Sequence, residues 1–125
     1  MHHYLALDIG EKRTGVAYAD STAGIALPLK TISHETFDLL NEKLLDLIKE
    51  KDITHIIFGL PLLPSGDEGH QAEIVRSVVS KMPIPSHISH IFIDERYTTP
   101  RGPHKDPDAA AACEILTVFL SKENI

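Results

Sequence analysis

The order of elements along this chain predicts an α/β fold built on one mixed sheet. Three extended segments open the sequence, and the turns between them are short enough for hairpins, so these strands should pair antiparallel. After residue 33, helical periods alternate with short strands, a pattern typical of parallel strands joined by crossover helices. The predicted order is β-β-β-α-β-α-β-α. This order indicates a five-stranded sheet with helices on both faces.

The first half of the chain contains the meander and one amphipathic helix. The opening strands are predicted over residues 4–9, 13–20 and 26–33. The pattern then becomes helical over residues 34–52, where five apolar side chains share one face: Phe37, Leu40, Leu44, Leu47 and Ile48. The first strand is expected at the centre of the sheet, flanked by parallel strands.

The second half repeats a strand followed by a helix. A nearly continuous apolar strand, typical of a strand covered on both faces, is predicted over residues 54–61. The remaining elements are a helix over 70–82, a strand over 87–95 and a final helix whose first turn contains Pro107 and Asp108. Prolines and a glycine exclude regular structure between the last strand and the last helix.

Composition restricts the classes of function. At 125 residues the chain is expected to form a single domain, residues 1–125. No apolar run approaches the roughly 20 residues of a membrane span, and the lone Cys113 fits a reducing compartment such as the cytoplasm. The net charge of −6 disfavours indiscriminate nucleic-acid binding, although one local basic patch remains compatible with it.

Acidic residues follow the strands that should end at one edge of the sheet. Asp8 ends the first strand and Glu95 ends the last, while Asp108 begins the final helix. In open α/β sheets, ligands gather at the carboxyl ends of parallel strands, where the turn containing Gly59 and Pro61 should also lie. Three carboxylates at one edge repel one another unless a cation lies between them. Their hard oxygen ligands favour Mg²⁺ or Mn²⁺.

This arrangement fits the two-metal chemistry of phosphodiester cleavage, in which two ions about 3.5–4 Å apart activate water and stabilise the leaving oxygen. Gly10 and Gly15 would let a nucleic-acid strand approach the sheet edge. Five basic residues are candidates for contacts with backbone phosphates: Lys12, Arg13, Arg96, Arg101 and Lys105.

Each acid also has a structural interpretation. Asp8 fits the cap of a turn, and Asp108 fits the N-terminus of a helix. Glu95 fits a surface ion pair with Arg96 or Arg101. The joint hypothesis depends on all three acids falling on one predicted edge.

Five stretches resemble the YqgF family, also called RuvX, over nearly the whole chain. They are "LALDIGEKRTGVAYAD", "ALPLKTI", "IIFGLPLLPSGDEGHQAEIVRSV", "FIDERYTT" and "DPDAAAACEILTVFL". The resemblance implies an RNase H-like fold. Family members are described as Holliday-junction resolvases and as nucleases of pre-16S rRNA.

The resemblance also implies roles for individual residues. Asp8, Glu95 and Asp108 match the family's catalytic, metal-binding acids. Arg13, Arg96 and Thr98 match positions that contact or support the substrate, and Gly59 and Pro61 match the loop that shapes the site.

The chain departs from the family pattern before its last helix. Only "PRGPHKDP" joins Thr99 to Asp108, where family members usually carry an additional basic, helical segment. This chain is therefore a shortened member with fewer basic groups to hold a nucleic-acid backbone. We expect a monomer or a weak homodimer.

We interpret the sequence as that of a cytoplasmic, Mg²⁺- or Mn²⁺-dependent nuclease. It would process the 5′ end of pre-16S rRNA, with ribosome association as a further expectation. The alternatives are a resolvase of Holliday junctions and a non-catalytic module that binds nucleic acid or the ribosome. "DIGEKRTG" also resembles the phosphate loop of actin-like ATPases, but those enzymes need a second such loop and a duplicated domain.

Overall fold

The computed structural model describes residues 1–94 and 106–123. Its strands, in chain order, are β1 (His3–Ile9), β2 (Arg13–Asp20), β3 (Leu27–Pro28), β4 (Ile32–Ser33), β5 (His55–Leu60) and β6 (Ser89–Asp94). Its helices are α1 (Phe37–Glu50), α2 (His70–Ser80) and α3 (Pro107–Glu123). In these described residues, no helix is long and apolar enough to cross a membrane.

All six strands belong to one mixed sheet, which confirms the predicted fold class. The order across the sheet is β3-β2-β1-β5-β6, and β4 also pairs with β2. β1 pairs antiparallel with β2 and parallel with β5, and β5 pairs parallel with β6. β1 is central and antiparallel to β2, as predicted, and the parallel strands β5 and β6 follow on its other side. The short turn after Ile9 returns the chain directly alongside β1, so β2 must run antiparallel.

The third predicted strand, residues 26–33, is interrupted. Only its two ends pair with β2: β3 opposite Ala17 and Tyr18, and β4 opposite Arg13 and Thr14. Pro28 has no N–H to give to a ladder, which favours a break at this point. Thr31, within the interruption, instead donates its hydroxyl to Asp106.

The sheet separates two apolar clusters. Leu5 and Leu7 face α1 and α2, whose buried side chains include Leu44 and Val75. Tyr4 and Ala6 point to the opposite face and join the cluster formed with α3. Burying one such large apolar side chain stabilises a fold by roughly 1.5–3 kcal/mol, so both clusters hold their helices firmly against the sheet.

The alternation of side chains along β1 fixes the position of its last acid. Residues two apart on a strand point to the same face. Since Tyr4 and Ala6 face α3, Asp8 must also point to the α3 face. The fold therefore directs this carboxylate toward the start of α3.

Candidate active site

Asp8 lies half-buried near the carboxyl end of β1. In the antiparallel register of β1 and β2 its partner is Gly15. Paired residues of an antiparallel ladder project to the same face, so whatever covers Gly15 on the α3 face lies beside Asp8.

The backbone of Asp108 covers Gly15. A Cβ atom built on Gly15 would overlap the carbonyl group of Asp108 and lie 3.2 Å from the amide nitrogen of Ala109. The absence of a side chain therefore lets the first turn of α3 rest directly on β2, next to Asp8. The interpretation that Gly15 leaves room for a nucleic-acid strand is wrong, because the helix itself occupies that room.

A cationic side chain already accompanies the Asp108 carboxylate. Arg13 Nε lies 3.2 Å from Asp108 Oδ2, with 68% of the Arg13 side chain and 31% of the Asp108 side chain exposed. Such an exposed ion pair contributes at most about 1 kcal/mol to stability. Its significance is chemical, since it brings a guanidinium group to the same edge as the two acids.

Asp106 fixes the start of α3. Its Oδ1 atom accepts a hydrogen bond from the Ala109 amide at 3.2 Å, as the N-cap of a helix does. Its two carboxylate oxygens also lie 2.7 and 2.6 Å from the Thr31 hydroxyl, which donates to them. The Thr31 hydroxyl, followed by the backbone amides, lowers the pKa of Asp106. These bonds tie the helix that carries Asp108 to the interrupted third strand.

Asp106 and Thr31 were not recognised from the sequence. An aspartate directly before a proline at the first helical position is a recognisable N-cap pattern, and it could have identified Asp106. Nothing local indicated Thr31, because its partner lies 75 positions away along the chain.

A buried polar pair supports β2 from the opposite face. Thr14 Oγ1 and His34 Nε2 lie 2.9 Å apart, and both residues are almost fully buried. Burial lowers the pKa of His34, and the positive charges of Lys43 and Lys12 lower it further. We infer that His34 is neutral at neutral pH and holds β2 in place between Arg13 and Gly15. No local sequence pattern indicates this pair.

Two of the predicted residues lie in the turn between β1 and β2. Lys12 Nζ lies 3.4 Å from the Glu35 carbonyl oxygen and 3.5 Å from Glu35 Oε2. A Cβ atom on Gly10 would overlap the carbonyl of Arg13, so this glycine is required by the tight turn itself.

The predicted turn around Gly59 is partly wrong. Gly59 pairs with Ile93, and Leu60 with Asp94, so both lie within the ladder of β5 and β6. Pro61 follows the strand directly and ends it, as a residue without an N–H group does. Pro61 therefore lies at the same edge of the sheet as Asp8.

Five predicted site residues lie outside the described ranges: Glu95, Arg96, Thr98, Arg101 and Lys105. Within residues 1–94 and 106–123, no group of three or more His, Cys, Asp or Glu side chains could hold a metal ion. The described part of the site thus contributes two acids, Asp8 and Asp108. Both supply hard oxygen atoms, and the Asp108 carboxylate already holds a cation, the Arg13 guanidinium. Carboxylate oxygens are ligands that hard divalent cations such as Mg²⁺ and Mn²⁺ prefer, so the chemistry of these two acids is compatible with a divalent cation.

Comparison with known proteins identifies relatives over most of the chain. The RuvX family, described as "Holliday junction resolvase", matches residues 2–122. A protein of Sulfurihydrogenibium sp. named "Putative pre-16S rRNA nuclease" is 43% identical over 101 residues, which cover 79% of this chain and 68% of the relative. A Roseiflexus sp. protein of the same name is 40% identical over 132 residues, covering 95% of this chain and 94% of the relative. Because that alignment is longer than this 125-residue chain, the relative contains residues that have no counterpart here.

Solved structures share the fold at low sequence identity. Thermus thermophilus RuvC in complex with a Holliday junction substrate superposes with a TM-score of 0.70 at 8% identity, covering 99% of this chain and 96% of RuvC. Fowlpox virus resolvase, in complex with Holliday junction DNA, superposes with a TM-score of 0.57 at 10% identity, covering 97% of this chain and 98% of the resolvase. The fold is therefore RNase H-like, as predicted. The chain belongs to the RuvX family.

Proposed function

We propose that this chain is a divalent-metal-dependent nuclease that cleaves phosphodiester bonds near the 5′ end of pre-16S rRNA. The observation that carries the proposal is that the Asp108 backbone rests on Gly15, the ladder partner of Asp8. A fold that needed Asp108 only as a helix-terminal charge would not require its backbone to rest on the strand beside a second acid. The names of the relatives support the choice of reaction.

Asp8, Asp108 and Glu95 are the residues that would hold the metal. Divalent ions held by such carboxylates activate a water molecule and stabilise the leaving oxygen of a phosphodiester. The chain's own contribution is to fix the acids: Asp8 by the β1–β2 register, and Asp108 by the Asp106 cap and the contact with Gly15.

Basic residues around the acids would bind the substrate backbone. The exposed guanidinium of Arg13 can exchange its ion pair with Asp108 for a bidentate contact with a phosphate. Lys12, in the neighbouring turn, is equally exposed. Arg96, Thr98, Arg101 and Lys105 remain predicted substrate contacts, and Gly10, Gly59 and Pro61 are proposed to shape the site.

Ribosomal RNA is preferred to branched DNA as the substrate because the relatives carry the name of an rRNA nuclease. Cleavage of a four-way DNA junction is the second candidate, supported by the description of the family. We place the activity in the cytoplasm, in association with the ribosome, and expect a monomer or a weak homodimer. The single cysteine is consistent with that reducing compartment.

The test is a cleavage assay with purified protein and Mn²⁺. Three substrates are compared: a 5′-extended 16S rRNA precursor, a four-way DNA junction and a plain duplex. Asp8→Asn is assayed beside the wild type. Asp94→Asn is the matched control, because Asp94 ends the neighbouring strand β6 and pairs with Leu60, a residue of the α1 and α2 face.

We expect the wild type and Asp94→Asn to cut the rRNA precursor and Asp8→Asn to leave it intact. Preferential cutting of the DNA junction would show that the proposed substrate is wrong but that the protein is a nuclease. Tight binding of the precursor without cleavage by any variant would contradict the nuclease and favour a binding module.

A further inference from the structure

A cleft of about 470 Å³ lies between α1 and the chain that joins β3 to β4. Three lysines line it: Lys30, Lys43 and Lys51. One acid, Glu50, also lines it. In a chain with a net charge of −6, three ammonium groups beside one carboxylate form a local positive surface.

Two of these lysines are held in position by their neighbours. Lys43 Nζ donates a hydrogen bond to the Ser33 carbonyl oxygen at 2.9 Å, which leaves its other two N–H groups for a ligand. Lys51 Nζ lies 5.6 Å from the centre of the Tyr18 ring, within the range of a cation–π contact. Burial raises the pKa of Tyr18, and the negative charges of Asp20 and Asp52 raise it further. Lys30 is exposed on the opposite wall.

The cleft begins where the acidic edge ends. Thr31 lines the cleft and donates its hydroxyl to Asp106, two residues before Asp108. Ser33, also in the lining, is the ladder partner of Arg13, whose guanidinium contacts Asp108. The acids lie on the α3 face and the cleft lies beside α1, so a nucleic-acid strand that leaves the acids would pass around the sheet edge formed by β4 to enter the cleft.

We propose that this cleft binds the phosphodiester backbone of the substrate on one side of the cleaved bond. The inference rests on the proposed nuclease function and extends it to a second contact surface. Ammonium groups provide charge for phosphates, whereas the described lining contains no aromatic ring on which a base could stack. The contact is therefore with the backbone and independent of base sequence.

The test measures binding in the Asp8→Asn background, so that the substrate is not cut. Lys30, Lys43 and Lys51 are all replaced by Gln. The matched control replaces Lys49, Lys81 and Lys122 by Gln, which removes the same charge from lysines that do not line this cleft. Affinity for the rRNA precursor and for a DNA duplex is measured from about 50 to 200 mM salt, with thermal unfolding of each variant. The single variant Lys30→Glu reverses the charge of one exposed side chain and provides a second test of the cleft that should leave the fold unchanged.

We expect the cleft variant to lose affinity for both nucleic acids at low salt. Its plot of log affinity against log salt should become shallower by about 2 to 3 units, one per lost phosphate contact. The control should keep the wild-type slope. If the wild type cuts and the Asp8→Asn parent binds, equal salt slopes for the cleft variant and the control would overturn the proposed role of the cleft but not the proposed nuclease function. Loss of binding to the rRNA precursor alone would overturn a pure backbone contact. Failure of the wild type to bind or cut any nucleic acid would overturn the proposed function, and the cleft with it.

Discussion

Gly15→Ala tests the geometry of the site with the addition of one methyl group. The new Cβ would overlap the backbone carbonyl of Asp108, which cannot rotate away as a side chain can. The start of α3 must then move off β2 by a distance on the order of 1 Å. Ala109 and Ala112 pack tightly against the sheet behind it, so we expect a loss of about 1–3 kcal/mol in the free energy of unfolding, the usual cost of overpacking.

The larger effect should fall on catalysis. A shift of about 1 Å in a reacting group can reduce the rate by roughly 10²-fold. Because the helix carries Asp108 while Asp8 stays on β1, the substitution changes the spacing of the two acids without altering either one. Single-turnover cleavage of the rRNA precursor, measured at a temperature where the variant is folded, reports this loss.

Gly69→Ala is the matched control. The atoms nearest to its added Cβ belong to the side chain of Leu63, which is 49% exposed and can move, and Gly69 has a backbone conformation that alanine also adopts. We expect less than about 1 kcal/mol of destabilisation at this helix cap, with an unchanged cleavage rate. If Gly15→Ala has the same free energy of unfolding and the same cleavage rate as the wild type, α3 does not rest on Gly15, and the proposed meeting of the two acids is wrong.

Three further predictions concern the residues that support the acids. Arg13→Gln should change the free energy of unfolding by less than about 1 kcal/mol, because an exposed ion pair stabilises little. It should slow cleavage by about 10- to 150-fold, because a charged contact with phosphate contributes about 1.5–3 kcal/mol, and equal free-energy losses in unfolding and in cleavage would contradict this. Asp106→Ala should lower the free energy of unfolding in urea by about 1 kcal/mol. Because the pKa of this carboxyl is lowered in the fold, the wild type should lose stability as the pH falls below the usual carboxyl value near 3.8, and the variant should lack this part of the pH dependence. The pKa of His34 is likewise lowered by burial, so its contribution to stability is complete above the unfolded pKa of about 6.5 and declines as the pH falls from there toward the folded pKa. His34→Gln should therefore make the thermal unfolding temperature depend less steeply on pH in that window, and an unchanged slope would exclude His34 as the cause of the dependence.

The fold class could be predicted because its causes are local. The five apolar residues of α1 repeat at the helical period, and the buried stretch of β5 is continuous in the sequence. The alternation of Leu5 and Leu7 with Tyr4 and Ala6 likewise determines which way Asp8 points. Each of these patterns reflects which side chains are buried, and the spacing of apolar residues in the sequence indicates this directly.

The missed features depend on contacts between distant segments. Turn spacing could not indicate that Thr31 bonds Asp106, or that this contact accompanies the interruption of the third strand. The sequence indicates a close approach at Gly15 but not that a helix of the same chain makes it, because the packing of a helix on a strand leaves no pattern in a single sequence. The bond between Thr14 in β2 and His34, which follows β4, likewise joins residues 20 positions apart and leaves no local pattern.

A metal site shared by Asp8 and Asp108 is tested most directly by the Mn²⁺ dependence of cleavage in wild-type protein, Asp8→Asn and Asp108→Asn. We expect saturable, Mn²⁺-dependent cutting of the rRNA precursor by the wild type. Both variants should be nearly inactive at every Mn²⁺ concentration, with thermal unfolding close to that of the wild type. Wild-type rates in either variant, or cleavage that persists after chelation of the metal, would contradict a metal site shared by these two acids.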